Sequence, residues 1–462
     1  MLPTYVQAFT GAKGEVTVAA FDGGSGLSQV TSQIFGALLV CYCLLVIASN
    51  LRQLPSERLT SLAVCLAPWG FYLLNDIHRG TSISVAVLTY PLVAVALWTA
   101  RVDLDALRVV GWFVGILVVA TFAMVLLSPD RAFYVAPSGA LVQAEKQIFP
   151  GGLLAGPFNN PNTLGQVLVL GSGLVFLSAK SRRVGLALLL AVGTQIVWSA
   201  SRASMLAFVL VALTLIITST VRRAVGRQLI GLGGLCIAAC VVVVPLMTDD
   251  PSSFSDRGQI WSGSLSYWRG HHWLGLGSTW YSSISHYNND LVSLAFHGHN
   301  LFVNTLVTGG VLGVALLASW LLLAWRAALA SPSAPALGVV VSVSAVGLLE
   351  VPVNMVDRGA LFFAAQLPLL IIVLSTPAGA PNLSQSPPAG LVGETQREVE
   401  AHSRPGGVPP GAAAANGGVK RRREDGSRDT MRGAGVAGPI SRPDQPARGS
   451  ALGPDRRRRS GP

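Results

Sequence analysis

Charge is scarce in this sequence: 12% of its 462 residues are Asp, Glu, Lys or Arg, against roughly 25% in soluble domains. Long stretches have nothing charged to present to water, which excludes an ordinary soluble globular fold. Cysteine is sparser still. Cys41, Cys43, Cys65, Cys236 and Cys240 all fall inside apolar runs, so they read as small buried hydrophobes, not as a disulfide framework or a metal site. The nucleotide signatures are missing too. No P-loop, GxSxG, GxGxxG or DxD-type diphosphate–metal motif stands in a usable context, and LGLG at 274–277 is too short for a nucleotide loop. Lys13 is not followed by a signal-peptide pattern, so the first apolar run is expected to stay as a helix.

What the chain does have is apolar residues, 51% of the total. They come in runs of about 18–25, each long enough to cross a hydrocarbon core of about 30 Å. The runs are continuous, not alternating, so they predict helices and not a barrel. The expectation is an all-α, polytopic integral membrane protein of about eleven spans (10–12). The spans fall near 33–49, 59–76, 81–100, 107–128, 162–179, 184–200, 203–220, 229–247, 300–325, 336–355 and 359–376. The 200–203 junction is tight enough to require a hairpin or a tilted helix. Residues 1–32 precede the first span.

Orientation follows from the basic residues. One alternating set of short loops carries Arg52 and Arg58, Arg101 and Arg108, Lys180, Arg182 and Arg183, Arg222, Arg223 and Arg227, and Arg326. This set is expected to be cytoplasmic. The long loops 129–161 and 248–299 then face outward, and the C-terminus faces inward. The formal charge of +11 comes largely from residues 376–462, where fourteen Lys or Arg against eight Asp or Glu supply +6. That stretch is rich in Pro, Gly, Ala and Ser, so residues 377–462 are expected to form a disordered basic tail. Its arginine runs suit anionic headgroups, or simply water. Nothing beyond the tail points to nucleic acid, and no nucleic-acid partner is expected.

Three outward-facing places hold polar residues at helix mouths. In GPFNNPNTLGQ (156–166), Pro161 breaks the chain and Asn162 can cap the next helix. Alternatively, Asn162 is an amide for sugar or lipid. In WSASRASMLAF (198–208), Arg202 sits between two apolar helices. A charge there is either paired and functional or snorkels to headgroup phosphates. The loop around 254–283 holds Arg257, Arg269, His271, His272 and the aromatics Trp261, Tyr267, Trp268, Trp273 and Trp280, and runs on to His297 and His299. Arginine forks suit phosphates and aromatic faces suit sugars. An interfacial aromatic belt would read the same way. Five histidines, 271, 272, 286, 297 and 299, lie on one side, but no HExxH or Cys/His spacing supports zinc, and neither a metal nor a cofactor is expected. Glu350 is the one acidic residue deep in an apolar run.

Taken in order, GPFxNPN, the Ser-Arg pair between helices, RGxxW and GLG, and then HNxxxNxLxxxGxxG resemble the O-antigen ligase and polymerase superfamily of bacterial envelope glycosyltransferases. The resemblance spans most of residues 30–375 and is densest over 150–315. It implies a GT-C-like membrane fold across residues 33–376 with an extracytoplasmic active-site loop at 248–299. It further implies metal-independent polymerisation or transfer of glycan from an undecaprenyl-diphosphate-linked donor to a glycan acceptor, at the outer face of the cytoplasmic (inner) membrane. Carried over by residue, it implies Arg202 and Arg257 on the diphosphate and His299 as the base. Arg269, Asn162 and Asn300 join as substrate contacts, and His297 has no firm counterpart. The helix after His299 is expected to use Gly309, Gly310 and Gly313 for close packing. The competing expectation is a transporter or flippase for a lipid-linked or anionic solute, which would use the arginines but not His299.

Overall fold

The chain divides into two units, Met1–Asn382 and Leu383–Pro462. The computed structural model describes residues 2–10, 25–54, 58–81, 83–135, 146–284, 297–331, 333–356 and 361–375, all in the first unit. The expectations for the basic tail and for His286 lie outside the described residues.

Fifteen α-helices are described: α1 Leu2–Thr10, α2 Gly26–Asn50, α3 Leu59–His78, α4 Thr89–Thr99, α5 Leu107–Leu127, α6 Pro129–Ala132, α7 Pro161–Ser178, α8 Arg182–Trp198, α9 Arg202–Thr220, α10 Arg223–Leu246, α11 Ser253–Trp268, α12 Trp280–Ile284, α13 Leu301–Ala330, α14 Ala334–Val346 and α15 Leu367–Leu374. No strand is found among the described residues; the single β-bridge joins Phe133 to Leu154. This is an all-α membrane protein. Six helices are long and apolar enough to cross a membrane: α2, α5 with its 3₁₀ entry (Leu104–Leu127), α7, α9, α10 and α13. Three shorter apolar helices are Val85–Thr99, Ala334–Val346 and Phe362–Leu374. Two of the expected spans are therefore broken. The 336–355 run is helical only to Val346 and continues without helix, so Glu350 stands beyond its end. The 359–376 run contains a π-helix at Phe362–Gln366.

The bundle is built around α7. Leu164, Val167, Leu168, Leu170 and Leu174 are fully or almost fully buried there. Small residues allow this. A Cβ at Gly171 would lie 2.3 Å from Val114 of α5, and one at Gly165 would lie 2.7 Å from Ser201, between α8 and α9. On the flanks, large side chains such as Leu45, Leu127, Leu190 and Leu235 are more than 60% exposed, a surface suited to hydrocarbon and not to water. The five cysteines are all free. Cys43 and Cys65 are buried as expected, whereas Cys41, Cys236 and Cys240 lie on exposed faces of α2 and α10. An apolar run that spans lipid need not turn every residue inward, which is why that part of the expectation fails.

Hydrogen bonds tie the two ends of the bundle differently. At one end, Arg58 Nη1 donates to Leu374 O (2.6 Å) and Arg227 Nη2 to Ser331 O (2.5 Å), joining helix starts to helix ends. At the other, the α8–α9 junction meets the loop before α7 through Leu154 N and Trp198 O (3.2 Å), and Asn300 Nδ2 donates to Val241 O of α10 (3.0 Å). The site lies at this second end.

Candidate functional site

Four side chains converge there. Arg257 Nη2 donates to Glu350 Oε1 at 2.6 Å, and its Nε donates to Leu349 O at 3.1 Å. The other carboxylate oxygen, Oε2, lies 3.4 Å from His299 Nδ1 and 3.8 Å from His297 Nε2. The two imidazole rings are 4.1 Å apart. Glu350 is nearly closed off, with 4% of its side chain exposed; Arg257 and His299 each keep 16%. A carboxylate this deep needs partners, and a guanidinium and two imidazoles provide them. His299 Nδ1 has no aligned hydrogen bond among the described residues, although Glu350 stands beside it.

Local sequence explains how each group is aimed. In α11, Arg257, Ile260, Trp261 and Ser264 recur at i, i+3, i+4 and i+7, so one helix face carries all four. Ile260 and Trp261 bury against Val303 and Val307 of α13, which turns Arg257 toward Glu350. Just before it, Phe254, Ser255 and Asp256 all adopt left-handed backbone (φ 55, 61 and 65°). Arg257 Nη1 also donates back to Phe254 O (3.0 Å). His299 is left-handed as well (φ 44°), and so is Ala200, two residues before Arg202 (φ 50°). Of the six non-glycine residues with positive φ among those described, only Arg101 lies away from this end. Such conformations cost of order 1–3 kcal/mol each and persist where surrounding structure imposes them, typically at functional sites.

Asn300 follows His299 as the N-cap of α13. Its Oδ1 accepts from Val303 N (2.9 Å), and its Nδ2 donates to Val241 O and Leu348 O. The side chain is fully buried and committed to backbone, so Asn300 fixes the point where the chain enters the bundle; it does not present a free amide to a substrate. Ten residues on, the helix breaks at Gly310 (φ 63°, ψ −166°). Loop residues 272–277 take over the freed backbone groups. Leu276 N donates to Val307 O (2.7 Å), Gly277 N to Thr308 O (3.0 Å), and Val311 N to His272 O (2.9 Å). A Cβ on Gly275 would lie 2.5 Å from Gly310 N, and one on Gly310 would lie 2.3 Å from Trp273 O. LGLG is therefore the plug that closes a broken helix. Gly309 and Gly313 do pack closely, on Tyr72 and Phe71 of α3, but Gly310 is the break itself.

The other sequence candidates separate. Arg202 is exposed at the first turn of α9 and makes no ion pair among the described residues. Asn162 does not cap α7. Asn160 does so, its Oδ1 accepting from Asn162 N (2.8 Å), with Pro161 as the first helical residue. Proline suits that position because no amide hydrogen is needed there. Asn162 still lies one turn from Gly165 and hence from Ser201, on the same end of the bundle. Arg269 is exposed at the far end of α11. Twelve helical residues, about 18 Å, separate it from Arg257, so the structure does not bring it to the cluster. His271 and His272 are exposed on the 270–275 loop.

Two residues were not singled out as site residues. Glu350 had a signal, being the one acid deep in an apolar run. Lys146 had none beyond its place in the long loop. It is partly buried and unpaired among the described residues, and its ammonium is pushed down by burial and then by the charges of Arg257 and Arg202, with Glu350 acting the other way. Packing holds it there. Phe149 stacks edge-on against Trp198, ring centres 5.9 Å apart, and Leu154 bonds to the Trp198 carbonyl. His297 is held well below the usual imidazole range, to about 3. Burial is the largest cause, His299 and Arg257 push the same way, and Glu350 opposes them. It is therefore neutral at physiological pH.

Residues 167–318 match the O-antigen ligase family model. Over this segment, about a third of the chain, the protein is similar to the O-antigen ligase family. No curated protein matches it. The matched segment holds Arg202, Arg257, Arg269, His297, His299 and Asn300. Lys146, Asn162 and Glu350 lie outside it, so the carboxylate that organises the cluster comes from beyond the matched region. His297, His299 and Glu350 also put their ligand atoms within 4.8 Å of one another, a set that could hold a metal ion.

Proposed function

We propose that this protein is a multi-pass glycosyltransferase of the cytoplasmic membrane. It polymerises or transfers glycan from an undecaprenyl-diphosphate-linked donor at the outer face, for surface polysaccharide assembly. The observation that carries the proposal is the Arg257–Glu350–His299 cluster beside two cations, Lys146 and Arg202, that have no ion pair among the described residues. A diphosphate is the ligand that such a cation group lacks. In this reading the eleven apolar runs all span, residues 248–299 face outward, and the C-terminus faces the cytoplasm.

The chemistry follows from the positions. Arg257, Arg202 and Lys146 hold the diphosphate and offset the charge that builds on it as it leaves. The Glu350 carboxylate, 3.4 Å from His299 Nδ1, favours the tautomer protonated on that nitrogen and stabilises the imidazolium as it forms, which leaves Nε2 as the base. His299 takes the proton of an acceptor hydroxyl. That oxygen forms a bond to the anomeric carbon, the bond from that carbon to the diphosphate oxygen breaks, and the electron pair leaves with the lipid diphosphate. The three ligand atoms at His297, His299 and Glu350 fit a metal only in part. Glu350 Oε1 is already bonded to a guanidinium, and a divalent ion would join Arg257, Arg202 and Lys146 in one like-charged group. The reaction is therefore proposed to need no metal. A transporter would use the same cations but would leave His299 dispensable.

The test uses the full chain in nanodiscs with a lipid-diphosphate oligosaccharide and an acceptor glycan. The expected result is lengthened or transferred glycan plus free lipid diphosphate, insensitive to chelator. His299→Ala should retain lipid-diphosphate binding and lose transfer by about a hundredfold or more. Normal transfer by His299→Ala would remove it from the chemistry and favour transport. Loss of activity in chelator, restored by a divalent ion, would overturn the metal-free step.

A further inference from the structure

A cavity of about 220 Å³ is lined in part by His297. Its walls carry Tyr72, Tyr281, Asn304, Thr308 and Asn354, with His297 at one edge. Leu317, Val353 and Met355 supply an apolar patch. Arg257, Arg202 and Lys146 do not line it. Among the described residues, the imidazole of His297 is the one ionisable nitrogen base on the lining, and no Asp, Glu, Lys or Arg side chain lines the space.

The lining has a particular chemistry. Asn304 Oδ1 accepts from Gly298 N (3.1 Å), which leaves its Nδ2 without a partner among the described residues. Asn354 Oδ1 accepts from Val356 N (3.1 Å), and its Nδ2 is likewise unpartnered among them. Tyr72 and Thr308 share a hydrogen bond (3.1 Å), and Tyr281 donates to Ser264 (3.0 Å), so both rings are held in place. Two fixed aromatic rings, two spare amide donors and an apolar patch form a surface for a ring with C–H faces and hydroxyl edges. A hydrocarbon chain would leave the amides unsatisfied, and a carboxylate or phosphate would find no Lys or Arg among the described lining residues. Drug-sized ligands occupy pockets of roughly 300–1,000 Å³, so this one takes a single small ring.

Resting on the transferase reading above, we infer that this cavity is the acceptor subsite and that it takes one uncharged sugar ring of the acceptor glycan, next to the His297–His299 pair. The site then has two halves of opposite character. The cationic half holds the lipid diphosphate, the neutral half holds the acceptor ring, and the histidines stand between them. His297, whose ring lies 4.1 Å from that of His299, is a positioning residue at the edge of the acceptor half.

Asn304→Asp keeps the oxygen that Gly298 needs and replaces only the spare donor. Asn354→Leu narrows the same space from the opposite wall. In the full chain in nanodiscs, both variants should bind undecaprenyl diphosphate within about twofold of the parent, while the KM for acceptor rises tenfold or more. Saturation-transfer NMR should detect neutral hexoses and N-acetylhexosamines on the parent but not hexuronates, and the signal should fall in Asn304→Asp. Unchanged acceptor KM and unchanged sugar signal in both variants, with the parent active, overturn the subsite and leave the transferase reading standing. A parent that binds sugars but releases no lipid diphosphate instead strikes the transferase reading, and the acceptor assignment with it.

Discussion

The two ends of the bundle use the same kind of residue for different ends. At the end carrying Arg58 and Arg227, each guanidinium donates to the last carbonyls of a neighbouring helix, at Leu374 and at Ser331. Those oxygens have no partner within their own helix, and the negative end of the helix dipole favours a cation there. At the opposite end Arg257 is bonded to a buried carboxylate, and Lys146 and Arg202 have no ion pair among the described residues. A cation spent on a carbonyl holds helices together. A cation without an anion partner is, in the reading proposed above, where the donor diphosphate would bind.

The sharpest way to break this comparison is at Glu350. Glu350→Gln should destabilise the protein by about 3–5 kcal/mol, because it leaves the enclosed Arg257 charge unpaired, and should abolish transfer. Thermal unfolding in detergent and glycan release measure the two effects. The double variant Arg257→Met, Glu350→Leu should recover much of the stability and none of the activity. Recovery of both would make the pair a packing element like Arg58. Next in size, Lys146→Met should weaken lipid-diphosphate binding by about tenfold, the loss of a charge-assisted bond of about 1.5 kcal/mol, with Lys146→Arg near normal. Equal binding by both variants in a direct titration would return Lys146 to the class of incidental loop residues.

A gentler effect should appear with pH. His297 sits at about 3 in the folded chain, below its ordinary value of about 6.5, so the unfolded chain binds the extra proton between those limits. Stability should therefore hold above about pH 6.5 and fall as pH drops toward 3, and His297→Gln should flatten that slope. A slope unchanged by the substitution would assign the acid sensitivity to other groups. The smallest effects belong to the first end. Arg58→Ala and Arg227→Ala should each cost about 0.5–1.5 kcal/mol of stability and leave the KM for donor unchanged. A raised donor KM in either would erase the distinction between the ends.

Much of this was legible in composition and spacing. Every apolar run contains helix, because a backbone without water must bond to itself and continuous apolar runs do so as helices. Arg257 and His299 were singled out because the loop brings fork-shaped cations and imidazoles to a helix mouth. Asn162 and Asn300 were less legible. Both are amides next to helix starts, and nothing in one dimension tells a capping amide from a free one. Asn300 spends all its bonds on backbone, and the cap of α7 is its neighbour Asn160. Arg269 looked equivalent to Arg257 in composition, yet it stands at the other end of the same helix.

By itself, then, the sequence determined that this is a helical membrane protein and which loops carry the ionisable side chains, since hydropathy and residue type are properties of the chain. The tertiary structure alone decided that Glu350, ninety-three residues from Arg257, is its partner, that Lys146 comes within electrostatic reach of Arg257 and Arg202, and that LGLG closes a broken helix. These are contacts between segments far apart in the chain. They depend on how α7, α11 and α13 pack, and on glycines whose missing Cβ atoms let one backbone approach another.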